Sequence, residues 1–456
     1  MKLKNKTMKK LIYLTLFLFL LNANFSCSSS DDSGGEQVEE PVDDTPGNTN
    51  DEIVYDETGV LYKSYTNLVM AGYQGWFAAQ GDASERGWYH YQNPKCGGFT
   101  PSCSSIDMWP DMSEYTNKYI TPYKNSDGSD TYLYSPYDES SVDLHFKWMK
   151  DHGIDGVHMQ RFVVEIHPTN PKGKRHFNKV LENALKAAKK YGRAISVMYD
   201  LSGSDSNKVA YLEQDWNEIV EQFKLFDNVE NPTFLRHNGR PLMSIWGVGF
   251  NDGRKYTTSD VNQLVNKLKG PRNKVAIMLG VPYYWRTFGN DTEKNPALHD
   301  LIKKVDIIMP WAVGRYNSLS SYNADNVYQD RLWTDQNDVD YVPLVFPGFT
   351  WGNLQQDPTK YNSIPRLKGD FMWRQVAGAK LAGAKSLYVA MFDEVDEGTA
   401  IFKVLRENEV PLATAPYKFV GIEAGLQTDH YLWLTGQAAN WFHGQTGYSI
   451  ATPTRQ

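Results

Sequence analysis

The chain has 456 residues, of which 41% are hydrophobic, 22% charged and 13% aromatic, with a formal net charge of −7. That length builds one large domain or two ordinary ones, and abundant aromatics at modest charge exclude a chain disordered throughout. The charge is uneven: residues 1–26 hold five lysines and no acid, residues 31–57 hold eleven acids and no base, and the body from Thr58 balances 42 bases against 43 acids. Such a body has no basic field with which to grip nucleic acid.

Residues 1–26 read as an export segment: Lys9 and Lys10, the apolar run 11–21, then small and polar residues. The run is too short to span a bilayer comfortably. The box Asn24-Phe25-Ser26-Cys27, followed by a Ser/Asp-rich start, resembles a bacterial lipoprotein signal of the relaxed Bacteroidota type. The resemblance implies that Cys27 carries lipid and anchors the chain to the outer membrane, facing the surface or the periplasm. An ordinary cleaved secretory peptide is the alternative. Residues 28–57 have almost nothing to bury and are expected to form an acidic, disordered tether. The expected organisation is a signal over 1–26, a lipidated cysteine and linker over 27–57, and a body over 58–456. A monomer is expected, touching the membrane only through its lipid. Cys96 and Cys103, with six residues between them in a Gly/Pro/Ser-rich loop, are expected to pair as a disulfide.

Short apolar runs at 69–73, 155–160, 194–199, 242–246, 275–279, 306–310, 341–346 and 386–392 alternate with amphipathic stretches at 141–151, 176–191, 211–226, 259–268, 296–303, 323–333 and 370–381. Eight apolar strands separated by helices predict a single (β/α)8 TIM barrel with a long first βα loop. A doubly wound open sheet is the rival, but no Gly-rich phosphate loop follows the first strand. Residues 74–140, rich in aromatics such as Trp76, Trp88 and Trp109, read as a wall of the cleft. The tail from Tyr417, with 430–443, reads as a closing helix.

In a barrel the chemistry is read where strands end. The strand ends offer Tyr73, Trp76, Asp200, Trp246, Tyr284, Trp311, Trp351 and Asp393 as substrate-binding candidates, and the first loop adds His90. Flat aromatics suit the C–H faces of sugar rings, and carboxylates supply proton transfer. Each ring has core packing as its competing role, and Asp200 serves equally as a helix N-cap. Arg374 either orients an acid or pairs at the surface, and Glu165 is a reserve carboxylate. His152, His158 and His167 lack metal-ligand spacing, so no catalytic metal is expected.

The sharpest feature is Asp393-Glu394-Val395-Asp396-Glu397-Gly398-Thr399, directly after the last apolar strand. On a surface such a run would be a solvated loop, but at a barrel mouth it crowds carboxyls into the cleft, giving an acid and a base at neutral pH. This barrel, with Glu394-x-x-Glu397, Gly72-Tyr73-Gln74-Gly75-Trp76 and Asn238-Gly239-Arg240-Pro241, resembles glycoside hydrolases of the family 71/99 group, especially the family 99 endo-α-mannosidases. The resemblance implies a retaining enzyme without a cofactor. Glu394 would take the proton of the sugar 2-hydroxyl and Glu397 would serve as general acid/base. Asp393 and Val395 depart from the residues that flank the first Glu in that family, which bears on the sugar more than on the reaction. The substrate expected is an α-linked polysaccharide or oligosaccharide, α-mannan first. The alternatives are a glycan-binding lipoprotein without chemistry, or a barrel glycosidase for an α-glucan, xyloside or arabinoside.

Overall fold

The computed structural model describes residues 52–455. The signal segment 1–26, Cys27 and the tether as far as residue 51 lie outside the described residues. Seven continuous parallel strands and one divided strand form the sheet: Val69–Tyr73, Gly156–Phe162, Ala194–Asp200, Arg240–Trp246, Ala276–Pro282, Ile307–Trp311, the pair Asp340–Tyr341 and Leu344–Val345, and Leu387–Val389. The first strand pairs with the second and the eighth. The divided seventh strand closes the ring, its first half on the sixth strand and its second half on the eighth. Pro343 lies at the division. Without an N–H it breaks the ladder there, while its carbonyl still accepts from Tyr388 N at 3.1 Å. The result is the expected (β/α)8 barrel, not an open sheet.

The strands are readable in sequence because parallel strands are covered on both faces and stay apolar throughout; all seven residues of Ala276–Pro282 are buried. The helices are punctuated locally. Helix Pro171–Tyr191 opens with Asn170 accepting from Gly173 N and a proline at its start, and it ends on Gly192 at φ 60°. Helix Thr258–Lys269 opens with a capping box from Thr257 and Asp260. Inside the barrel Gly72 is forced, since a Cβ there would lie 2.1 Å from the Tyr388 hydroxyl oxygen.

The connection after the first strand holds a hairpin absent from the sequence reading, Tyr119–Lys124 with Asp130–Leu133. Its cysteines are joined as a disulfide, Cys96 to Cys103, with 5.7 Å between Cα atoms. Helix His430–Phe442 packs under the barrel, with Trp441 stacked on Trp373 at 5.6 Å. His443 just beyond it reaches Asp155 at 3.0 Å. Residues 52–57, expected as the end of the tether, instead lie on the body. Ile53 N donates to Arg272 O at 2.9 Å, and the Tyr55 ring packs edge-on against Phe226. Polar contacts fasten it as well: Tyr55 Oη donates to Lys274 O at 2.9 Å, and Glu52 pairs with Arg240 at 3.3 Å.

Candidate active site

The carboxyl ends of the strands surround a cleft of about 480 Å³. A hollow at the opposite end of the barrel, lined by Tyr65, His237 and Asp340, holds only about 40 Å³, too little for a sugar. The cleft is lined by Gln74 and Trp76 from the first strand end, Tyr89 and His90 from the first connection, and Gln160, Phe162, Val164 and Glu165 from the second strand end. Asp200, Ser202, Trp246, Trp311, Glu394 and Glu397 complete it. Gly280 makes room for the Trp246 ring, because a Cβ there would lie 2.3 Å from the indole Cδ1.

The two glutamates have opposite surroundings. Glu394 is buried, with both oxygens occupied: Oε1 accepts from Gln74 Nε2 at 2.6 Å and Oε2 from Thr399 Oγ1 at 2.5 Å. Burial and the Asp396 charge raise its pKa, and those two hydrogen bonds pull it back. Glu397 lines the same cleft, and its carboxyl has no hydrogen-bond partner among the described residues. Burial lifts its pKa well above the ordinary value, the charges of Glu394 and Asp396 lift it further, and nothing opposes them. Both carboxyls are thus raised, Glu394 to about 8 against two opposing hydrogen bonds and Glu397 with none opposing.

The loop that carries them is fastened at several points. Asp393, fully buried, accepts from Gln74 N at 2.7 Å and Gly75 N at 2.9 Å, joining the ends of the eighth and first strands. Burial drives its carboxyl up to about 7 against these donors. Asp396 is buried too, its Oδ2 3.5 Å from His90 Nδ1, and burial pushes it up to about 7. His90 is driven down to about 3, chiefly by burial, so its ring is neutral.

Several candidates stand elsewhere than expected. Tyr73 is wholly buried and its hydroxyl bonds His145 Nδ1 at 2.8 Å, so it belongs to the core. Asp393 is a backbone clamp and does not line the cleft. Arg374 is exposed on helix Asp370–Leu381, and the task foreseen for it, orienting Glu394, falls to Gln74 and Thr399. Tyr284 packs edge-on against Tyr283, and Trp351 against Phe349; neither lines the cleft. Trp76 does line it, but its ring stacks with His90 at 3.9 Å and Phe162 at 4.9 Å, leaving little free face for a sugar. Trp246 and Trp311 form an edge-to-face pair at 5.1 Å. Asp200 lines the cleft, accepts from Ser202 N at 2.7 Å, and is raised to about 6 by burial. Glu165 is held by Tyr89 and Arg86, each at 2.5 Å, so it is a wall rather than a spare acid. Gln160, Phe162, Val164 and Ser202 were not among the candidates; Gln160 is the last residue of a predicted strand, and the other three lie two to four residues beyond one. Among the described residues no group of three or more His, Cys, Asp or Glu could hold a metal ion.

No protein-family model matches the sequence, and no curated protein does. The chain is similar in fold to the solved GH99 endo-α-mannosidase of Bacteroides thetaiotaomicron, with a TM-score of 0.59 at 14% identity over 83% of this chain and 98% of that one. A structure of the enzyme from the same organism in complex with bis-tris propane gives a TM-score of 0.58 at 14% identity, over 83% of this chain and 97% of that one. At that identity the likeness is one of architecture.

Proposed function

We propose that this chain is a retaining glycoside hydrolase that cleaves an α-linked polysaccharide, α-mannan first, with help from the sugar's own 2-hydroxyl. The observation that carries the reading is the contrast between a buried, clamped Glu394 and a half-buried, partnerless Glu397 in one cleft with three tryptophans. A site that only bound glycans would have no need of a second carboxyl left in the cleft without a protein partner. The fold shared with an enzyme described as an endo-α-mannosidase supports the choice of substrate.

In this reading Glu394 takes the proton of the 2-hydroxyl as that oxygen closes on the anomeric carbon, forming a 1,2-anhydro sugar. The bond to the leaving oxygen breaks, and Glu397 delivers its proton there. Water then adds to the anomeric carbon as the strained C–O bond opens. Glu397 takes a proton from the water, and Glu394 returns its own to the 2-oxygen. Both carboxyls end as they began, and two inversions give retention. Placing the base beside the 2-hydroxyl is a matter of orientation, which the Gln74 and Thr399 bonds supply.

The reading extends to the N-terminal segment: Cys27 lipidated at the outer membrane, with an acidic tether holding a monomeric barrel toward polysaccharide outside or within the periplasm. The test is a panel of α-mannan, α-glucan, xyloside and arabinoside substrates, followed by product analysis with proton NMR. New reducing ends from α-mannan, appearing first as the α-anomer, are expected. Release from none of the panel, or first appearance of the β-anomer, overturns the proposal.

A further inference from the structure

Asp107 lies deep in the first connection, remote in sequence from every strand end, and is wholly buried. Its carboxylate accepts three hydrogen bonds from the loop after the seventh strand: Thr350 Oγ1 at 2.5 Å, Gly352 N at 2.8 Å and Asn353 N at 2.7 Å. Both ends of this bridge then grip the backbone that carries the glutamates. Asp107 N and Met108 N donate to Val395 O at 3.0 and 3.1 Å, and Thr350 N donates to Glu397 O at 3.0 Å. Thr350 also packs so closely on Gly398 that a Cβ there would lie 2.2 Å from its Cγ2.

Three loops therefore meet at one buried carboxylate. We infer that Asp107 is a positioning residue that sets where Glu397 stands relative to Glu394, acting through Thr350 and the Val395 carbonyl. The inference rests on the glycosidase reading for its consequence, not for its geometry. Glu394 has side-chain anchors of its own in Gln74 and Thr399, whereas Glu397 has none. Its place is fixed by its backbone alone, and that backbone is held by the loop Asp107 fastens. Loss of the clamp should then harm the proton-transfer step far more than the binding of sugar elsewhere in the cleft.

The experiment compares Asp107→Asn, Thr350→Val and Thr350→Ser in the full chain. Asp107→Asn turns one acceptor into an N–H donor facing other donors, and it should lower kcat about 100-fold with KM within about threefold, the scale expected for a slight misplacement of a reacting group. Thr350→Val, which removes a single hydroxyl, should lower kcat about tenfold, and Thr350→Ser should restore it, the range for one hydrogen bond to a charged group. Hydrogen exchange without substrate reads the clamp directly: the amides of Met108 and Thr350 should exchange at least about tenfold faster in Asp107→Asn, since their bonds are then made to a loosened loop. Unchanged exchange at those amides, or kcat and KM falling together, overturns the inference. If the wild-type chain cleaves no glycan, the functional reading fails on that result, and the exchange data still decide whether Asp107 holds the loop.

Discussion

Gln74 Nε2 lies 2.6 Å from Glu394 Oε1, joining residues 320 apart in sequence. The bond joins the end of the first barrel strand to the loop after the last, where the cylinder closes. Asp393 reinforces the same seam by holding the backbone N–H groups of Gln74 and Gly75. Barrel closure and orientation of the proposed base are thus one event: strands one and eight cannot slip without moving Glu394.

Gln74→Ala should lower kcat by roughly 10- to 100-fold, the range for a lost hydrogen bond to a charged group. The sign of the pH effect follows from the role of the bond. Gln74 stabilises the ionised carboxylate and holds its pKa down, so removing it should move the acid limb of kcat/KM to higher pH. A pH–rate profile of the variant checks this; an unmoved acid limb would mean that Gln74 does not tune Glu394.

Trp311 lines the cleft and meets Trp246 edge-on. Trp311→Ala should raise KM for oligosaccharides about tenfold and change kcat less, because an aromatic platform binds ground state and transition state alike. Initial rates over a range of oligosaccharide concentrations give both constants. A pure kcat effect would contradict a platform role.

Asp396 offers a stability test. Burial raises its carboxyl from 3.8 to about 7, so the folded chain holds a proton that the unfolded chain has released. Its contribution to stability is therefore greatest below pH 4 and is lost as pH rises toward 7. Asp396→Asn removes the titration. Its melting temperature relative to wild type should climb by a few degrees between pH 4 and pH 7 and stay level above that. Melting curves across that range decide it, and a pH-independent difference would refute the burial argument.

Asp393→Ala leaves two buried backbone N–H groups without partners at the barrel seam. A loss of about 2–4 kcal/mol is expected, read as a lower urea midpoint. A change under about 0.5 kcal/mol would mean that the seam is held by strand pairing alone.

What could be read in advance divides along physical lines. The eight strands were legible because burial on both faces leaves them apolar throughout. Glu394 and Glu397 were legible because four acids in five positions, directly after such a strand, must crowd the barrel mouth. The hairpin Tyr119–Lys124 with Asp130–Leu133 does alternate, buried against exposed, but its strands are short and polar outward, so they merge with the surrounding loop. The run 341–346 was expected as one strand, whereas the structure divides the seventh strand at Pro343. The partners that define the site were not legible. Asp107 and Gln74 act across some 240 to 320 residues, and no local pattern marks a carboxylate or amide as the anchor of a distant loop. Nor does sequence show that Trp76 is stacked on both His90 and Phe162, or that Arg374 faces outward.

The most direct measurement is the initial rate of reducing-end release from yeast α-mannan by wild type and Glu397→Gln, both checked for intact fold. If Glu397 delivers the proton to the leaving oxygen, the amide should cut the rate by at least about 100-fold, the lower end of what general acid catalysis contributes, while glycan binding persists. Glu397→Gln working as fast as wild type would contradict the account.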